Sequence, residues 1–96
     1  MTFEAFEKTT SDPNPPAEIS KNLEALWYDA NGNWDTAHDI VQQTSGHDGD
    51  WIHAYLHRKE GDISNAGYWY SRVGRSVPGI SLDEEWEELA RHLLVN

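Results

Sequence analysis

Two histidines, His53 and His57, stand four residues apart in the stretch WIHAYLHRKE, and a third, His38, lies on the segment before them. At i, i+4 on one helix, two imidazoles point to one side. That spacing suits zinc, which takes neutral imidazole as a ligand, and a catalytic zinc needs three protein ligands and an open position. His38, His53 and His57 are therefore a candidate metal set, with Asp35 or Asp39 as an accessory carboxylate and hydrolysis as the chemistry it would support. Residues 54–56 are Ala-Tyr-Leu, so the His-Glu-x-x-His motif, with its glutamate base, is absent. The competing reading makes both helical histidines packing residues that hydrogen-bond a carbonyl, a tyrosine or a carboxylate.

The same stretch holds a second constellation. Trp51, Tyr55, Arg58 and Lys59 combine rings, which supply contact area, with an Arg that grips a carboxylate in two-pronged fashion. They form a candidate ligand-binding face. Against it, Arg58 and Lys59 sit in the last turn of their helix, where cations favour the dipole. With Arg72 and Arg75 they are also placed to neutralise Asp83, Glu84 and Glu85. His47 reads as a loop residue and His92 as near-terminal, both facing solvent.

Other chemistry is thin. There is no cysteine, which removes disulfides, thiolate ligands and Cys nucleophiles. No G-x-S-x-G elbow or phosphate-binding Gly motif occurs. The loop GHDGD lacks the length and ligand spacing of an EF-hand. The formal charge of −10 repels nucleic acid and anionic membranes, so neither is an expected partner. No run approaches the roughly 18 apolar residues of a membrane span, and no signal peptide is visible, so a cytoplasmic location is expected. The 96 residues suit one domain.

The elements that must position these residues are helical. Residues 1–14 read as an arm with Phe3 and Phe6 as anchors, and residues 15–96 as a single helical domain. Asn14 as N-cap with Pro15 at the first helical position opens a helix carrying Ile19, Leu23, Leu26 and Ala30. NGN (31–33) ends it. A second helix runs from about Trp34 to Gln43, and the Gly-rich stretch TSGHDGD breaks the chain. A third covers Trp51 to about Lys59. Asp62 caps a fourth, Ile63 to about Val73, with Ile63, Ala66, Tyr70 and Val73 on one side. Tyr68 and Trp69 point elsewhere, onto the last helix or into an exposed patch. Ser81-Leu-Asp-Glu84 is a capping box that starts a fifth helix with Leu82, Trp86, Leu89 and Leu93 as its stripe. No segment shows strand alternation, so the class is all-α, with about five helices.

An internal repeat organises them. Ala25, Gly32 and Ala37 recur as Ala54, Gly61 and Ala66, each 29 residues on, and Val41 meets Tyr70. Small residues let paired helices approach, and the glycine permits the reversal. Ala54, Gly61, Ala66, Tyr70 and Pro78, with Ala25, Tyr28, Gly32 and Ala37 before them, resemble the tetratricopeptide family of helical hairpins over roughly residues 19–78. HAYLHRKEGD followed by NAGYWY also resembles a group of short bacterial and fungal proteins of no established activity, which implies no functional residues. The tetratricopeptide resemblance implies two hairpins plus a C-terminal capping helix. It implies ligand binding along the first helices, through Asn22, Leu26 and Asp29 and through Trp51, Tyr55, Arg58 and Lys59. It places His53 and His57 in the hairpin seam. The function expected is a small non-enzymatic module that binds a peptide or protein segment without a cofactor. The alternative is a zinc or hydrolytic site at His38, His53 and His57, and a homodimer through the Trp-rich surface is a third possibility.

Overall fold

The computed structural model describes residues 1–44 and 46–95, and these form six helices and no strand. They are α1 (Phe3–Thr9), α2 (Lys21–Ala30), α3 (Trp34–Gln42), α4 (His47–Glu60), α5 (Ile63–Arg72) and α6 (Leu82–Leu94). No helix is long and apolar enough to cross a membrane.

Caps set most of the boundaries. Side chains of Thr2, Ser20, Asn33, Asp62 and Ser81 each accept a bond from a backbone N–H in the first turn of α1, α2, α3, α5 and α6. At Ser81 the box is complete, with the Glu84 carboxylate returning to the Ser81 N–H at 3.0 Å.

Three boundaries differ from expectation. The helix expected from Asn14 and Pro15 starts at Lys21, behind Ser20. Pro16 forces Pro15 away from helical backbone, and Glu18 at φ 64° interrupts the chain again. The N-terminal stretch contains a helix, α1, whose Phe3 and Phe6 are buried against Trp86 at ring separations of 5.9 and 5.8 Å. The third expected helix begins at His47, not Trp51. Gly49 does not break it. A Cβ there would meet the Thr44 carbonyl oxygen at 2.9 Å, so the glycine permits close packing of α4 on the preceding turn. Ser45, within that expected break, lies outside the described residues. Ile63, expected on the packing stripe of α5, is exposed, as is Tyr68, while Trp69 is half-buried.

Short turns at Gly32 (φ 89°) and Gly61 (φ 92°) pair α2 with α3 and α4 with α5. Ala25, Ala37, Ala54 and Ala66 are all sealed within these two hairpins. α4 is central and touches α2, α3, α5 and α6. Every residue from Trp51 to His57 is buried. α6, expected as the capping helix, lies against α1, α2 and α4.

Two carboxylates are buried where α6 and α2 meet α4. Glu85 is 2% exposed and accepts from the Tyr70 hydroxyl (2.7 Å to each oxygen), Trp51 Nε1 (3.2 Å) and Arg58 Nη1 (2.8 Å). Arg58 Nη2 also donates to the Ile80 carbonyl. Asp29, 3% exposed, accepts from the Tyr55 hydroxyl and Lys59 Nζ, each at 2.9 Å. Burial first, and then these carboxylates, push both tyrosine hydroxyls up, so they stay protonated as donors. Removing one partner of such a network strands the rest. Glu85→Ala is expected to lower unfolding free energy by about 3–5 kcal/mol in urea titration, whereas Glu88→Ala, in an exposed pair with Arg75, costs roughly 0–1 kcal/mol.

Candidate metal centre

The face of α4 opposite those carboxylates carries His53 and His57, each 6% exposed. His38 reaches them from α3, where it sits one turn after Trp34. Ring centroids are 4.8 Å apart for His38–His53, 5.0 Å for His38–His57 and 4.8 Å for His53–His57. One nitrogen from each ring lies within 4.8 Å of the others. Three imidazoles bound to one zinc at about 2.0–2.1 Å hold their centroids roughly 5 Å apart and their donor nitrogens about 3.3 Å apart. The ring spacing therefore matches that of a three-histidine zinc site.

Two tryptophans wall the cluster. Trp34 stacks on His38 (4.9 Å, 9°) and is fixed by its Nε1–H donating to the Leu56 carbonyl at 2.9 Å. Trp69 of α5 lies flat on His53 (4.0 Å, 14°). His57 Nδ1 bonds the Glu60 carboxylate at 2.6 Å, and its Nε2 faces the Asn65 amide at 3.4 Å. A carboxylate on Nδ1 fixes that nitrogen as the N–H donor and makes Nε2 the acceptor, whose lone pair takes a long bond from the Asn65 amide that a metal would have to displace. Among the described residues, hydrogen bonds reach His57 but neither His38 nor His53. His57, Glu60 and Asp62 also approach one another. The hydrogen bond at Nδ1 accounts for Glu60, and both carboxylates are exposed.

Burial favours the neutral form of His53 and His38. His53 is pushed down to about 4, by desolvation first and then by the neighbouring His38 and His57, while Asp50 pulls weakly the other way. Desolvation, then His57, lowers His38 as well, against Asp39, Glu60 and Asp35. Neutral imidazole is the form a metal binds.

The four residues of the expected binding face are also brought together, but against the chain itself. Trp51 and Tyr55 are 2% exposed, and every polar group of the four has an internal partner in Glu85, Asp29 or Ile80. Leu26 is sealed, and its carbonyl accepts from Trp86 Nε1 at 3.0 Å. α6 thus covers Trp51 and Arg58 of the expected face, while Tyr55 and Lys59, bonded to Asp29 of α2, line a cleft of about 340 Å³. His47 is the first residue of α4 and exposed, and exposed His92 pairs with Asp48 at 2.9 Å. Sequence reasoning did not assign Trp34, Trp69, Glu60 or Asn65 to the site. Trp34 and His38 at i, i+4, and His57 and Glu60 at i, i+3, were visible signals; Trp69 and Asn65 depend on the hairpin's closure.

No protein-family model, curated protein or solved structure matches the chain.

The depressed His53 makes stability pH-dependent. His53 titrates near 6.5 when unfolded and about 4 when folded, so its contribution is complete above pH 6.5 and lost as pH falls through 4. In chelator-treated protein the urea midpoint is expected to fall across this window, and His53→Phe to flatten that part of the profile. An unchanged profile in the variant would show that His53 is not the group responsible.

Proposed function

We propose that this protein binds a divalent transition metal, zinc first, through His38, His53 and His57. The observation that carries the reading is the convergence of three imidazoles on one point while Glu60 holds the remaining nitrogen of His57. An all-imidazole donor set suits zinc, copper or nickel and not calcium or magnesium, which take oxygen ligands. Because His38 comes from α3 and the other two from α4, the ion would clip the first hairpin to the second. Binding to the folded chain alone would then raise its stability with metal concentration.

The scaffold is read as two tetratricopeptide-like hairpins. Support comes from the 29-residue repeat: matched alanines are sealed in both units, and matched glycines turn at positive φ. Peptide binding at Trp51, Tyr55, Arg58 and Lys59 has less support, since their polar groups are already bonded within the chain, chiefly to the buried Glu85 and Asp29.

Chelator-stripped protein is expected to take up a single zinc ion per chain in calorimetry, with a rise in thermal midpoint. His53→Ala with His57→Ala abolishes both effects. Glu60→Gln, which keeps the side chain's size and removes its charge, weakens binding about tenfold. Protein that is metal-free on purification, and whose midpoint excess zinc leaves unchanged, would sink the proposal.

A further inference from the structure

Among the described residues, His57 alone of the trio is hydrogen-bonded, and it is held at both ring nitrogens. The two contacts act on a ligand in opposite ways. The short bond to the Glu60 carboxylate at Nδ1 fixes the ring and raises its basicity. The Asn65 amide, 3.4 Å from Nε2, occupies the lone pair that a metal would share, because a neutral imidazole has only one acceptor nitrogen. Asn65 lies in the first turn of α5, across the turn from His57. Its backbone N–H bonds the Asp62 carboxylate at 3.2 Å, and the Asp62 N–H bonds the His57 carbonyl at 3.0 Å. These bonds fix the backbone of Asn65 beside the ring, so only its side chain has to turn when Nε2 is given up.

We propose that Asn65 is an internal competitor for Nε2 of His57 and so sets the affinity of the histidine trio for its metal. The inference rests on the metal-site reading and names a regulating residue for it. A ligand that binds only the competent state has its apparent dissociation constant raised by the fraction of molecules in that state. Here the competent state is the one in which Asn65 has turned away. The opposing bond is neutral and long, so it lies at the weak end of hydrogen-bond strength. Asn65 is half-buried, so its amide can recover other partners once turned. The competitor therefore lowers affinity without closing the site. His57 is thus tuned from both ends: Glu60 strengthens it as a ligand, and Asn65 holds it back.

Zinc competition against a chromophoric chelator measures the effect. Asn65→Ala is expected to bind zinc about threefold more tightly than the unaltered chain, as release of one weak bond implies. A packing role for Asn65 gives the opposite sign, because a loosened α4–α5 turn scatters the ligands. Nitrogen NMR of the metal-free protein supplies a reading that packing does not move. In Asn65→Ala the Nε2 resonance of His57 shifts toward that of an unbonded acceptor, while Nδ1, still on Glu60, stays in place. Thermal midpoints without metal establish that the variant folds; if it does not, Asn65→Leu, which keeps the bulk and cannot donate, takes its place in both measurements. Zinc binding equal to or weaker than that of the unaltered chain, or an unmoved Nε2 resonance, overturns the competitor and leaves the metal reading intact. No zinc uptake by the unaltered chain overturns the metal reading and the competitor with it.

Discussion

The structure depends on a charge buried in an apolar place. Glu85 sits almost fully inside a 96-residue chain of net charge −10, where a carboxylate without partners would be costly. It is tolerated because α4 and α5 send it Trp51, Arg58 and Tyr70. Asp29 is handled the same way, by Tyr55 and Lys59. The basic residues that stand out in an acidic sequence are therefore largely consumed within the fold. They orient α6 and α2 on α4 and specify one arrangement among the many that an apolar contact would permit. Their net contribution to stability is smaller than their number suggests, because desolvation offsets much of the attraction.

That constraint decides where ligands can and cannot go. A hairpin array with an open concave face would present Trp51, Tyr55, Arg58 and Lys59 to a partner. Here α6 crosses α2 and α4 on that face, with Trp86 bonded to the Leu26 carbonyl and packed under Phe3 and Phe6. The chain supplies its own occupant. Access remains at the edge of that face, in a cleft of about 340 Å³ whose walls include Asp29, Tyr55 and Lys59, and on the other side of α4, where the histidines meet α3 and α5 and a cleft opens at His53.

Much of this was legible in the residues, for physical reasons that differ by element. The helix starts at Asn33, Asp62 and Ser81 are short-range hydrogen-bond chemistry, so local sequence carries them. The turns at Gly32 and Gly61 need positive φ, and the repeat shows both. The start of α2 was misplaced because Pro15 at a first helical position is a good local signal, and the adjacent Pro16 overrides it. α1 was hidden because seven residues with two phenylalanines are not stable as an isolated helix; tertiary contact with Trp86 holds them. The break at Gly46 and Gly49 was overread, since close approach to Thr44 makes Gly49 a packing residue. The His38–His53–His57 trio was visible as spacing. Its tryptophan walls were not, because Trp69 reaches His53 only after α5 folds back.

The two faces of α4 are not independent. Trp51 and His53 are two residues apart, as are Tyr55 and His57, which places each pair about 200° apart around the helix. One face is locked by Glu85 and Asp29, so the helix cannot roll, and its opposite face presents His53 and His57 in fixed register. Trp34, bonded to the Leu56 carbonyl between them, sets the position of α3 and with it His38. A ligand set for a metal must be held to within a fraction of an ångström by groups that do not themselves bind it. For the metal proposed above, the buried carboxylates on one side of α4 would meet that requirement for the imidazoles on the other. Trp51, Tyr55, Arg58 and Lys59, expected as a binding face, also anchor the side of α4 opposite the histidines.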